Sequence, residues 1–330
     1  MKKLLLIPIF ALFLSTVYAQ IDGARTYWAM PKNLNILSAH KISANVNASV
    51  NNLSFVTPQV TASNNLYLLT YTRSQPIFGR TFYSTLFLPA GDITATINAD
   101  IQGPGAISNT MYQHGLGDLI WSNTVNLVGA PGLMIKDFLR HENPTLVYFQ
   151  TAVTFPTGQY NGDELLNLGS NQYKFKVGLP MVQRIGPWVD GKKTTLEVFP
   201  SYTFITKNDD LQGQEVEQEG MFIVESHLTR DITKAAFLSL DYSLILGGSS
   251  DFKNKETGAL ISSQEGQEAH LIGLTASFRV ADQLNLFISH SQTFSSGNDN
   301  VSLEGGLLKL TLSYSFHDFQ QKFNDYINSN

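Results

Sequence analysis

The stretch Leu307–Phe316, LLKLTLSYSF, constrains this chain more than any other. Leu308, Leu310, Leu312, Tyr314 and Phe316 alternate with Lys309, Thr311, Ser313 and Ser315. An extended strand would carry five apolar or aromatic side chains on one face, and one charge and three hydroxyls on the other. Two environments satisfy that pattern. One is a half-buried strand of a soluble protein, and the other is a strand with lipid outside and a watery lumen inside. An aromatic residue closing the run, close to the end of the chain, favours the second.

The beginning of the chain points the same way. Lys2 and Lys3 precede an apolar stretch, Leu4–Leu14, and Val17-Tyr18-Ala19 offers a small-residue cleavage site before Gln20. Residues 1–19 therefore read as a cleaved export leader. The apolar stretch is well short of the roughly 20 residues a spanning helix needs. No cysteine is present, so neither a lipid-modified cysteine nor a disulfide framework is available. Without the leader the chain has 20 Lys+Arg against 27 Asp+Glu, a net charge of −7, which argues against a nucleic-acid partner. No later apolar run reaches 18 residues, so no spanning helix is expected.

Period-two segments fill the rest. They fall at 34–48, 64–73, 80–89, 116–128, 145–155, 172–182, 194–205, 218–229, 235–246, 268–280, 283–292 and 305–316. The fold expected is all-β, a closed antiparallel transmembrane β-barrel of about twelve strands, with fourteen as the alternative; the even number fits a closed bacterial barrel. The domain reading is an N-terminal periplasmic segment at 20–33, the barrel at 34–316 and a periplasmic tail at 317–330. The connections alternate between short and long, as periplasmic turns and external loops do. Ala90–Gly115 is the longest expected external loop. Gly129–Pro144 is long for a turn, and its MIKDFLR suggests a short helix. Pro180 and Pro200 fall within strands of a barrel that has no edge, so each is expected at a bulge or near the rim. Trp121, Phe155, Tyr173, Phe204, Phe237, Phe278 and Phe316, at strand ends, resemble an aromatic girdle.

Opposite the apolar faces lie Lys174, Lys176, Glu197, Asp241 and Lys309, the expected lumen-facing polar residues. HExxH, GxSxG and CxxC are absent, and the seven histidines lack ligand spacing. No catalytic residue, metal ligand or cofactor is expected. The acidic segment Asp209–Glu219 reads as a solvated loop.

Three motifs carry a family resemblance: Gly23-Ala24-Arg25-Thr26-Tyr27, Gly115-Leu116-Gly117-Asp118-Leu119, and Phe155-Pro156-Thr157-Gly158-Gln159-Tyr160-Asn161 followed by Asn167-Leu168-Gly169-Ser170-Asn171. With them the chain resembles the outer-membrane β-barrel family named for the MetA pathway of phenol degradation. The resemblance implies a porin-like channel for aromatic or other hydrophobic compounds, with the solute unidentified. It marks Gly115, Gly117, Asp118, Pro156, Thr157, Gly158, Gly169, Ser170 and Asn171 as motif turn residues. The LGSN segment suits an outer-rim turn, since Gly169 and Asn171 tolerate positive φ. The tail after Phe316 departs from barrels that end at their closing aromatic.

The function expected is passive passage of a small hydrophobic or aromatic solute across the outer membrane of a Gram-negative bacterium. The lumen would be gated by the N-terminal segment. The partners expected are outer-membrane lipid and the barrel-assembly machinery, which would read Phe316. Two alternatives are an outer-membrane enzyme, lipid hydrolase-like, with a cross-strand site, and a non-conducting structural or adhesive barrel.

Overall fold

The computed structural model describes residues 22–50, 56–101, 106–142, 144–295 and 301–317. The expected leader and the tail beyond His317 lie outside the described residues. Eighteen strands and one short helix follow in order. The strands are β1 (Leu34–Val50), β2 (Val56–Ile77), β3 (Arg80–Ile101), β4 (Ala106–Leu116), β5 (Leu119–Val128), β6 (Thr145–Phe155), β7 (Lys174–Gly178), β8 (Met181–Arg184), β9 (Thr194–Ile205), β10 (Asn208–Leu211), β11 (Gln214–Gln218), β12 (Met221–Thr233), β13 (Ala236–Gly247), β14 (Ser250–Asn254), β15 (Leu260–Gln264), β16 (Gln267–Ala281), β17 (Leu284–Ser295) and β18 (Val301–His317). MIKDFLR does supply a helix, α1, at Ile135–Phe138.

Fourteen strands form one sheet, and β12 pairs with β9 while β18 pairs with β1, so the sheet closes on itself. β4 and β5 share one stave and β7 and β8 another, which makes twelve antiparallel staves. β10, β11, β14 and β15 form a separate four-stranded sheet from two of the long loops. No described helix is long and apolar enough to cross a membrane.

The outward face of the barrel is lipid-like. Leu308, Leu310, Leu312 and Tyr314 of β18, Leu238, Leu240 and Tyr242 of β13, and Ile272 and Leu274 of β16 are all exposed. Their neighbours Lys309, Thr311, Ser239, Ser243 and Thr275 are buried toward the inside. One face of a strand thus has the apolar surface that suits lipid, and the other the polar surface of a lumen. Phe237, one of the expected girdle residues, is instead buried on the inward face, where its ring lies 3.9 Å from the Arg25 guanidinium.

Two expectations about the strands are corrected. First, β2 and β3 run for 22 residues each, and the expected loop at 90–115 is sheet over its described residues: β3 continues to Ile101 and β4 returns beside it from Ala106. Alternation continues through this region with its polarity reversed, so apolar counting ended the strands too early. Second, Pro180 and Pro200 need no bulge. Gly178 pairs with Ser201 and Met181 with Val198, with no residue inserted between them. Each proline keeps its acceptor, since Tyr148 N donates to Pro180 O (2.8 Å) and Leu179 N to Pro200 O (3.0 Å). The missing proline donors cost one ladder bond each and divide β7 from β8. A shift of one residue also occurs where β3 exchanges β5 for β4, from Phe87↔Ile120 to Ala90↔Leu116. Gly117 N donates to Pro89 O (2.9 Å) there.

The reversal divides the sheet into two zones. On β2, Leu69 and Tyr71 face outward and Thr70 inward; farther along, Thr61 is exposed outward and Ala62 buried inward. On β3, Ile93, Ala95 and Ile97 are buried inward while Thr94, Thr96 and Asn98 face outward. The change falls at the outward row Ser43, Asn65, Asp92 and His114, which are cross-strand neighbours. Ser43 Oγ donates to Asn65 Oδ1 (3.0 Å), and Asn65 Nδ2 donates to Asp92 Oδ2 (3.1 Å). Twenty-two residues extend about 70 Å at the usual rise. Even after a tilt of about 40°, that exceeds a lipid band of about 25 Å. β18 and β1 to β4 therefore continue beyond the lipid as a wall, on the end with the long connections. The other end has short turns such as Phe78-Gly79.

Candidate functional site

The lumen holds the N-terminal segment. Residues 22–33 were expected in the periplasm, but they run inside the barrel from the short-turn end, and Ala24 and Tyr27 are buried. The segment enters beside β2, where Asn33 N donates to Ser74 O (3.0 Å) and Ser74 Oγ to Pro31 O (2.5 Å). Within, it supplies backbone donors and cations to inward residues of several staves.

Glu197 of β9 is the main receptor of this plug. Its carboxylate accepts from Arg25 N (2.7 Å) and Trp28 Nε1 (2.8 Å), and from Thr195 Oγ1 (2.9 Å). Burial of a carboxylate is tolerable because three donors replace water. The Arg25 side chain pairs with Asp231 (2.7 Å), and its Nε donates to Thr229 Oγ1 (3.1 Å). The guanidinium lies between Trp28 and Phe237, 4.2 and 3.9 Å from the ring centroids, a cation–π arrangement on both faces. Below it, Trp28 meets Trp188 from the turn after β8 at 5.2 Å.

Deeper in the lumen, Asp22 forms an ion pair with Lys176 (2.9 Å). Lys309 also reaches the plug, since a Cβ at Gly23 would sit 3.9 Å from its Nζ. Lys174 lies half-buried on the same inward face as Lys176. Asp241 faces inward too, accepting from Ser239 Oγ and Thr275 Oγ1 (both 2.5 Å) and paired with His227 Nδ1 (2.7 Å). A carboxylate-oriented imidazole is one element of a hydrolytic triad. Among the described residues, no hydroxyl lies within hydrogen-bond distance of its Nε2.

Side chains thus form three layers along the lumen. Nearest the short turns, Tyr27 packs with Tyr83, Tyr148 and Phe199, and Gln150 Nε2 donates to Tyr27 Oη (3.1 Å). The charged layer with Asp22, Lys176, Glu225, Asp241 and Lys309 comes next. Beyond it the inward residues turn apolar in two clusters, Ile42, Ala44 and Leu307 on β1 and β18, and Ile223, Ile245, Ala269 and Leu271 on β12, β13 and β16.

The motif turn residues converge at a second place, where the barrel gives way to the wall. Asp118 is buried, and its carboxylate accepts from Gly158 N (2.9 Å), Ser170 N (2.8 Å) and Ser170 Oγ (2.6 Å). Thr157 Oγ1 accepts from Leu119 N (3.1 Å). Pro156 directly follows the end of β6. Gly158 meets Gly117 and Gly169 backbone to backbone; a Cβ on Gly158 would lie 2.7 Å from Gly117 C. Gly115, at φ +149°, leaves room for Gln159, whose Oε1 a Cβ would strike. The LGSN segment is thus folded onto Asp118 and is not a free rim turn. Asn171, at φ +53°, donates from Nδ2 to Asn208 Oδ1 (2.9 Å), tying the knot to the loop sheet. Phe316 belongs to neither place; near the end of β18 it pairs with Asn35 of β1 and its ring stacks on Tyr314 at 5.7 Å.

Sequence reasoning missed Arg25, Glu225, His227 and Asp231 as lumen groups. The GARTY motif flagged Arg25 as a position without showing its destination. Glu225 and His227 break the apolar alternation of β12, which was the available signal.

The family profile described as "Putative MetA-pathway of phenol degradation" matches residues 44–310. The chain belongs to this family. No curated protein matches the sequence. Among solved structures, an outer membrane channel from Pseudomonas putida F1 superposes with a TM-score of 0.65 at 17% identity, covering 90% of this chain and 100% of that one. A FadL homologue from Pseudomonas aeruginosa gives 0.45 at 8% identity, over 86% and 90%. The outer membrane protease OmpT from Escherichia coli gives 0.37 at 8%, over 89% and 100%.

Proposed function

We propose that this protein is an outer-membrane channel through which small hydrophobic or aromatic solutes pass, with residues 22–33 as the gate. The observation that carries this reading is the apolar inward layer at the long-loop end, made by Ile223, Ile245, Ala269 and Leu271 of β12, β13 and β16 and by Ile42, Ala44 and Leu307 of β1 and β18. A lumen built only for ions or sugars would have no use for it. Family membership and the channel-like fold support the same reading. The leader at 1–19 directs export and is removed. The barrel-assembly machinery reads the terminal strand at Phe316, and Leu308 to Tyr314 meet membrane lipid.

Beneath the apolar layer the plug closes the path. Its hold combines the aromatic packing around Tyr27 and Trp28 with a few charge-assisted contacts, Arg25–Asp231, Asp22–Lys176 and the Glu197 bonds, which can exchange for water when the segment withdraws. The measurement is single-channel conductance in planar bilayers, together with uptake of a small aromatic solute into liposomes. Arg25→Ala combined with Asp22→Ala should raise the open fraction by about tenfold or more, since each lost pair contributes on the order of 1 kcal/mol or above. Correctly folded double-variant barrels that carry neither ions nor solute would overturn the reading.

A further inference from the structure

We infer that the outward face of the extracellular wall binds the saccharide portion of the outer leaflet's glycolipid. The inference rests on the outer-membrane placement proposed above and is independent of transport. Above the row of Ser43, Asn65, Asp92 and His114, the outward positions of neighbouring strands are Ser63, Thr94 and Tyr112, then Thr61, Thr96 and Thr110. All six offer hydroxyls, and none carries a charge. Thr96 Oγ1 and Thr110 Oγ1 lie 3.0 Å apart across the strands, within hydrogen-bond distance. The Tyr112 ring is 59% exposed and stacked on His114 at 5.7 Å.

The other external surface shows what a face built for water looks like in this molecule. The loop sheet β10, β11, β14 and β15 carries Lys207–Glu215, Lys253–Glu217 and Lys255–Asp210 ion pairs. A surface kept soluble by charge is the common solution. At these six positions the wall has left charge out and kept donors, acceptors and a ring, which is the chemistry that pairs with sugar hydroxyls and the apolar face of a sugar ring; the exposed carboxylate of Glu304 stands apart from them, on β18 beside Asn47. Position names the source. The wall rises directly from the lipid-facing zone, where the nearest polar matter is the headgroup of the surrounding lipid. At the top of that zone stands Lys41, exposed and outward, flanked by Leu310 and Tyr67. Its ammonium is placed for a headgroup phosphate at the foot of the hydroxyl face.

The test uses the full-length barrel purified free of glycolipid, titrated with lipopolysaccharide carrying its core saccharide and with core-free lipopolysaccharide, and read by native mass spectrometry. Wild type should prefer the core-bearing form by about tenfold, the worth of one or two net hydrogen bonds. Tyr112→Ala with Thr96→Glu should abolish that preference and leave core-free binding unchanged. Lys41→Ala should weaken both forms equally. Heat-modifiable migration verifies that each variant is folded. Equal wild-type binding of the two forms overturns the inference, as does a preference unchanged in the double variant. So does a change of oligomeric mass in that variant without glycolipid, which would make the face a protein interface.

Discussion

Below the row of Ser43, Asn65, Asp92 and His114, the barrel is apolar outside and polar inside; above it the same strands are polar outside and apolar inside. The alternation itself never stops, because β geometry keeps successive side chains on opposite faces whatever surrounds them. What reverses is the solvent. Leu69 and Tyr71 are exposed on the apolar outer zone, whereas Thr94 and Thr96 stand outside the wall with Ala95 fully buried behind them. A strand with constant polarity records one environment, and a strand that inverts records the boundary between two. The boundary is also where the stave from β4 to β5 breaks and the Asp118 knot forms.

That junction offers the most severe perturbation. Asp118→Ala strands the donors of Gly158 N, Ser170 N and Ser170 Oγ in a buried site, at a cost of about 3–5 kcal/mol. Urea titration in lipid should show the loss. Limited proteolysis should then cut within 156–173 while the barrel stays closed, which would separate the two zones as folding units.

Next in size is a paired test of the zones themselves. Leu240→Arg places a cation on the lipid face, where about 2–4 kcal/mol is expected near the midplane. Thr94→Arg places the same charge on the outward face of the wall and should stay within about 0.5 kcal/mol. Similar losses at the two positions would break the comparison.

The smallest effect concerns the charged loop sheet. The Glu217 carboxyl is held below the ordinary glutamate range by its hydrogen bond from Lys253 and by the adjacent ammonium. A lowered folded value means that the pair's contribution is present above the unfolded glutamate value and is lost as pH falls through the lowered one. Both groups are largely solvated, so the effect is slight. Amide exchange in β11 and β14 should quicken in that acid window, and Glu217→Gln should remove the dependence. The uncharged hydroxyl face of β2, β3 and β4 at Thr61, Ser63, Thr94, Thr96, Thr110 and Tyr112 should show no matching change.

Much of the barrel was legible in the sequence, and each of the twelve expected strands overlaps one stave. Period two gave the faces, since Leu308 to Tyr314 and Lys309 needed only an alternating backbone to be sorted. The wall was hidden because its alternation has the opposite sign: TATIN reads as polar loop until Thr94 and Thr96 are known to face away from buried Ile93, Ala95 and Ile97. Pro180 and Pro200 misled for a related reason. A proline removes one donor, and a long ladder on both sides holds the register without a bulge.

The chain by itself determined which residues share a face, how many staves close, and which family motifs occur. Those are local consequences of dihedral geometry and turn chemistry. Only the tertiary structure decided that Arg25 meets Asp231 across 206 positions, that Asp118 gathers two distant turns, and that the N-terminal segment lies within the lumen. Such contacts depend on closure, which brings remote staves around one axis, and no sequence period encodes them. The terminal strand keeps its five apolar and aromatic residues on one face, and closure against β1 is what sets Lys309 beside the plug.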